Sequence, residues 1–132
     1  MRLVYTFGNV LLVTTLVTFT PAYADGDVVA GKRVFNRCLA CHDAKAEKDK
    51  IGPHLVGVVG RTAGILESFL TKYSDNMREA GADGLVWDEA NLTAYLRDPK
   101  ALIPKGKMAF PGLKNDADIA NVIAYLSADP KP

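Results

Sequence analysis

The chain reads as an all-α domain whose first and last helices cross, and three observations predict this. Residues 115–128 place Ile119, Val122, Ile123 and Leu126 at i, i+3, i+4 and i+7, the spacing of one apolar helix face. Asp27, Asp88 and Asn115 each stand just before a stretch of helical period, where a short side chain can accept from the free amides of a first turn. Between these stretches no run alternates apolar and polar residues for long enough to make a strand.

The 132 residues open with Arg2, an apolar stretch over residues 3–19 and Pro21-Ala22-Tyr23-Ala24, a small-x-small cleavage signal before Asp25. The expectation is a cleavable signal peptide over residues 1–24, export, and one domain over residues 25–132. The stretch is rich in threonine (Thr14, Thr15, Thr18 and Thr20) and shorter than a comfortable membrane span of about 20 residues, which favours cleavage over anchoring. Of 16 basic and 15 acidic side chains only Arg2 lies in the leader, so residues 25–132 are formally neutral. Such a domain advertises neither nucleic acid nor a membrane through its overall field, and docking by charge has to come from local clusters.

The first helix is expected from Asp27 through Cys38, with Val29, Val34, Phe35 and Cys38 at helical spacing and Lys32, Arg33 and Arg37 between them. Gly31 interrupts it at a cost of about 1 kcal/mol relative to alanine, so another element should approach closely there. The best partner is the last helix, where Tyr125 is placed to cross over Gly31. Asp88 should cap a helix carrying Leu92, Tyr95 and Leu96 that stops at Asp98-Pro99, because proline lacks the amide donor. A short helix then runs from Pro99 to Ile103. Residues 43–73, with Gly52, Gly57, Gly60 and Gly64, and residues 104–114 read as loops. A loop-rich domain of this size needs something at its centre for those loops to pack against.

Cys38-Leu39-Ala40-Cys41-His42 supplies the candidate. The spacing C-x-x-C-H puts two thiols where they can bond the two vinyl groups of a haem and an imidazole beside its iron. A disulfide between such near neighbours closes too small a loop to restrict the unfolded chain much. A thioredoxin-like redox pair belongs at a strand-to-helix junction, and no strand precedes Cys38. A zinc site from Cys38, Cys41, His42 and His54 has adjacent Cys41 and His42 and too long a gap to His54.

With a haem in place, His42 is its fifth ligand and the sixth position decides function. Met1 leaves with the leader. Met77 lies in the helix-like stretch Tyr73-Ser74-Asp75-Asn76-Met77-Arg78 and suits core filling. Met108 lies in a proline-bounded loop that can present a thioether rigidly. Soft sulfur favours ferrous iron, and two permanent ligands leave no vacancy for oxygen or peroxide, which makes an electron carrier's site. An open sixth position would make a haem enzyme or gas sensor instead.

With this motif near its start and Met108 in a Pro/Gly loop before a final helix, the chain resembles class I cytochromes c, especially the bacterial cytochrome c2 and mitochondrial type. The likeness extends through Gly31, Phe35, Gly52-Pro53-His54-Leu55, Gly57, Gly60-Arg61-Thr62, Tyr73-Ser74, Trp87, Tyr95-Leu96, Pro99, Ile103-Pro104, Lys107-Met108 and Ala124-Tyr125-Leu126. The resemblance implies the cytochrome c fold, with N- and C-terminal helices crossing and shorter helices and loops wrapped around one covalent haem. It implies one haem c per chain, thioether-linked to Cys38 and Cys41, with His42 and Met108 on the iron, and no enzymatic activity. It also implies that the Pro53 carbonyl accepts from His42 Nδ1, which fixes the tautomer. Tyr73, Trp87 and Arg61 would bind or neutralise the haem propionates, and Tyr95 would lie near the Met108 sulfur. His54 matches a variable position and is not made a ligand.

Lys45, Lys48 and Lys50 follow the haem motif, and Lys100, Lys105 and Lys107 flank Met108. Both groups can ring the exposed haem edge and dock against acidic patches on larger redox proteins. The resemblance points to a monomeric periplasmic carrier. Its donor would be a quinol-oxidising bc complex or a dehydrogenase, and its acceptor a terminal oxidase or photosynthetic reaction centre.

Overall fold

Asp27 adopts an extended backbone, and its carboxylate accepts from the Ala30 amide at 2.9 Å, opening helix α1 (Val28–Phe35). The computed structural model describes residues 26–132, so the expected leader over residues 1–24 and its cleavage point lie outside the described residues. α1 stops at Phe35 and not at the expected Cys38. From Asn36 onward the amides reach back only three residues, Arg37 to Val34 at 3.1 Å and Cys38 to Phe35 at 2.7 Å. That tighter winding ends the α geometry while carrying the chain into the C-x-x-C-H turn.

Asp88 and Asn115 cap as expected, and Ser74 and Asp98 are caps beyond the expected ones. Ser74 accepts from Met77 and opens α2 (Asp75–Ala82), which resolves the helix-like stretch as a helix. Asp88 accepts from Asn91 at 2.8 Å and opens α3 (Glu89–Arg97). Asp98 then caps α4 (Pro99–Leu102), where Pro99 fills a position that has no intrahelical acceptor for an amide. Asn115 opens α5 (Asp116–Ser127). A 3-10 turn over Glu67–Phe69 interrupts the segment expected to be loop throughout. Extended pairing among the described residues amounts to one isolated antiparallel bridge between Thr62 and Val86. No helix among them is long and apolar enough to cross a membrane.

α1 and α5 cross at Gly31. A Cβ there would sit 1.9 Å from the Asn121 carbonyl oxygen and 2.8 Å from Tyr125 Cβ, so only a bare α-carbon lets the two backbones meet. The expected crossing of Tyr125 over Gly31 is thereby borne out. Asp27 N donates to Asn121 Oδ1 at 2.7 Å, which binds the start of α1 to the same turn of α5. The rings of Phe35 and Tyr125 meet tilted at 42°, with centroids 5.3 Å apart. Phe35, Ile103, Ile119 and Val122 are fully buried, each contributing about 1.5–3 kcal/mol by leaving water. Trp87, Leu92 and Leu113 extend this core towards α3 and the Met108 loop.

Candidate functional site

The C-x-x-C-H segment is one tight turn. Cys41 N and His42 N both donate to the Cys38 carbonyl, at 3.1 and 2.9 Å, which gathers the two thiols and the imidazole onto successive positions of a single coil. Both cysteines are free thiols and half-buried. Burial pushes the Cys38 thiol up, against the opposing pull of Arg37.

His42 is held on two sides. Its Nδ1 and the Pro53 carbonyl are 2.7 Å apart, so Nδ1 carries the proton and donates, leaving the Nε2 lone pair unshared. The ring lies against Gly52 so closely that a Cβ there would be 2.3 Å from Cε1 and 2.8 Å from Nδ1. Burial holds His42 below the ordinary imidazole range, outweighing the upward pull of the Pro53 bond. The side chain is therefore neutral and oriented, with the contact to Pro53 that the resemblance implied.

Arg61 sits half-buried with Nη1 on the Val56 carbonyl at 3.3 Å and Nη2 on the His54 carbonyl at 3.2 Å. Desolvation lowers its pKa, and the neighbouring Tyr73 opposes that shift. Tyr73 stands edge-on to Phe69, with centroids 5.1 Å apart, and burial raises its pKa while Arg61 lowers it. Trp87 is buried with its ring 4.8 Å from that of Tyr95. Tyr95 in turn brings its hydroxyl to 3.9 Å from the Met108 sulfur, within the longer reach of a hydrogen bond to sulfur. Burial pushes Tyr95 up to about 12, so this hydroxyl keeps its proton. Trp87, Tyr95 and Met108 thus form one contact chain, and Arg61 and Tyr73 are electrostatic neighbours.

Met77, by contrast, lies on α2 among the side chains packed against the core, which is the core-filling place expected for it. His54 is buried, its amide donating to Asp49 Oδ1 at 2.9 Å and its carbonyl accepting from Arg61. Among the described residues no three His, Cys, Asp or Glu side chains gather to hold a metal ion by themselves.

Four of the six flanking lysines have a second occupation that sequence reasoning missed. Lys50 Nζ donates to the Leu39 and His42 carbonyls at 2.9 and 3.3 Å, strapping the haem-motif turn from outside. Lys107 Nζ donates to the Lys72 and Tyr73 carbonyls at 2.9 and 3.2 Å. Lys100 Nζ reaches the Gly106 carbonyl, and Lys45 Nζ reaches that of Pro132 at 3.2 Å. Lys48 and Lys105 have no ammonium partner among the described residues. Gly52 as a cradle for His42 was also invisible as geometry, because a glycine in a loop signals freedom of the chain and not what will lie upon it.

The donor set fits a haem. Two free thiols share a turn with a neutral imidazole whose Nε2 is unshared, and a thioether is held by a tyrosine that stays protonated. The family model described as cytochrome c matches residues 28–128. Cytochrome c2 iso-2 of Magnetospirillum fulvum is 53% identical over 94 residues, covering 71% of this chain and 93% of that protein. Cytochrome cH from Methylobacterium extorquens superposes with a TM-score of 0.67 at 41% identity, covering 76% of this chain and 97% of that one. Ferricytochrome c2 from Rhodopseudomonas palustris gives a TM-score of 0.68 at 38% identity, with 76% and 96% covered. Likeness of this extent in sequence, fold and donor set shows that the chain belongs to the cytochrome c family, as an electron-transfer protein and not an enzyme, with haem c covalently attached at the C-x-x-C-H that carries Cys38 and Cys41.

Proposed function

We propose that the protein is a periplasmic one-electron carrier whose haem iron would be held by His42 and Met108. When bound, the haem iron supplies the one-electron couple. Cys38 and Cys41 tether it, and the protonated Nδ1 of His42 directs Nε2 towards iron. Met108 offers a soft sixth ligand that favours the ferrous state and excludes small molecules. Arg61, Tyr73 and Trp87 bind or neutralise the propionates, and Tyr95 steadies the sulfur. The observation that carries this reading is the 3.9 Å approach of Tyr95 Oη to Met108 Sδ, which gives the thioether a fixed place in a buried aromatic chain.

The leader over residues 1–24 is removed on export, leaving residues 25–132 as the working monomer. Electrons come from a quinol-oxidising bc complex or a dehydrogenase and pass to a terminal oxidase or photosynthetic reaction centre. Lys45, Lys48, Lys50, Lys100, Lys105 and Lys107 mark the docking face, where small and transient interfaces leave the rate to steering.

Absorption spectra of both oxidation states test the ligation. A weak sulfur-to-iron band at the red end of the ferric spectrum is expected. Its absence, or ready binding of carbon monoxide by the ferrous protein at neutral pH, overturns the assignment of Met108 and favours a haem enzyme or sensor.

A further inference from the structure

The loop that carries Met108 hangs between two buried anchors, Ile103 and Leu113, and between them it has little backbone bonding of its own. Among the described residues, two of its amides find acceptors. Gly106 N turns back to the Ile103 carbonyl at 2.9 Å, within the same segment. Lys105 N crosses to Asn76 Oδ1 at 3.0 Å, a span of 29 residues to another element.

Asn76 stands in the first turn of α2, two residues after the capping Ser74, so the oxygen it offers is mounted on a helix and has two torsions to freeze. The other links to this region are made by side chains: Lys107 Nζ reaches the Lys72 and Tyr73 carbonyls, Lys100 Nζ the Gly106 carbonyl and Lys114 Nζ the Pro111 carbonyl, while Tyr95 Oη approaches the Met108 sulfur at 3.9 Å. A flexible ammonium stem defines position less sharply than a short amide on a helix. Among the described residues the bond from Asn76 is the one that ties a backbone amide of the loop, between its two anchors, to another element, and it sets where the loop starts its run towards Met108.

We propose that Asn76 is a positioning residue for Met108, holding the loop in its ligating conformation through the Lys105 amide. The proposal rests on Met108 being the sixth ligand. Without the bond, the loop visits open conformations more often, Met108 withdraws more often, and an external base gains access to the iron in proportion to the open fraction. One ordinary hydrogen bond corresponds to about a five-fold change in that fraction.

Imidazole titration of the ferric haem protein measures it. Asn76→Ala is expected to bind imidazole about five-fold more tightly than the unaltered protein. Alanine is a better helix former than asparagine, so α2 itself gains from the change and general loosening is not the cause. Asn76→Asp keeps an acceptor oxygen and should stay near the unaltered affinity. Ser127→Ala removes the bond from Ser127 Oγ to the Ile123 carbonyl in α5, lowering overall stability away from the loop, and should leave imidazole affinity unchanged.

Equal affinity in Asn76→Ala and the unaltered protein overturns the proposal, as does an equal gain in Ser127→Ala. A different failure, no sulfur-to-iron band in the unaltered ferric protein, removes Met108 from the iron and sinks the earlier reading instead.

Discussion

Gly31 and Asn121 meet where α1 crosses α5, so closely that the Asn121 carbonyl oxygen occupies the space a Gly31 side chain would need. The neighbouring contact repeats the relationship, since a Cβ on Gly26 would lie 2.2 Å from the Ala120 carbonyl oxygen. The crossing is therefore backbone on backbone, and neither side can yield by turning a rotamer.

Gly31→Ala should destabilise the protein by about 3 kcal/mol, the upper end of ordinary overpacking. The roughly 1 kcal/mol that alanine gains over glycine inside a helix does not offset it. Guanidinium chloride denaturation followed by far-ultraviolet circular dichroism checks this. A stability equal to that of the parent protein would show that the helices can separate slightly without loss.

Gly52→Ala acts on His42 directly. The new methyl overlaps the ring, and the ring is pinned by the Pro53 carbonyl, so the imidazole has to tilt out of its present orientation. Outer contacts of this kind typically change ligand binding about ten-fold or more when broken. The expected result is a lower yield of haem-loaded protein and a ferric spectrum of weaker axial field, with α1 and α5 still folded.

The lysines divide into two kinds, and substitution should separate them. Lys48→Glu or Lys105→Glu should slow electron exchange with an acidic partner about five-fold at low ionic strength, the equivalent of about 1 kcal/mol between exposed charges. That difference should vanish near 1 M salt, where screening acts within about 3 Å. Lys50→Gln should instead lower stability at any ionic strength, because Lys50 braces the Leu39 and His42 carbonyls. Stopped-flow rates across a salt series and parallel melts distinguish the two behaviours.

Tyr95 sets an alkaline limit. Burial raises its pKa from an ordinary 10 to about 12. Below 10 both folded and unfolded chains keep the proton. As pH rises from 10 to about 12 the unfolded chain ionises while the folded one does not, so stability is lost across that window, by on the order of 2 kcal/mol at its top. Tyr95→Phe should flatten part of this decline in denaturation midpoints measured between about pH 9 and pH 12. Tyr73 and Tyr125, also raised by burial, keep the remainder.

Local signals in the sequence were enough for the helices and for the atoms that attach the haem. Ile119, Val122, Ile123 and Leu126 announce their face by spacing alone, and Asp27, Asp88 and Asn115 announce the starts that they cap. Cys38, Cys41 and His42 are legible because their chemistry depends on consecutive positions. What escaped depends on distance. Asn76 and Lys105 are neighbours only once α2 and the Met108 loop have packed, and nothing in Ser74-Asp75-Asn76 distinguishes a tether from an ordinary helix start. The end of α1 at Phe35 was missed because Asn36, Arg37 and Cys38 suit helical spacing, whereas the motif turn requires a tighter coil. The lysines read as surface charge because an ammonium on a long stem gives no sign of which carbonyl it will find.

The carbonyls of Pro53 and His54, adjacent in the chain, are spoken for by His42 and Arg61 respectively. His54 thus links the peptide that holds the His42 imidazole to the next one, which holds the Arg61 guanidinium. A change in the backbone torsions of His54 disturbs both contacts together, so under the proposed ligation the basicity of His42 and the placement of the Arg61 charge are not separate dials. Variants at His54 that shift the reduction potential have to be judged on the two at once.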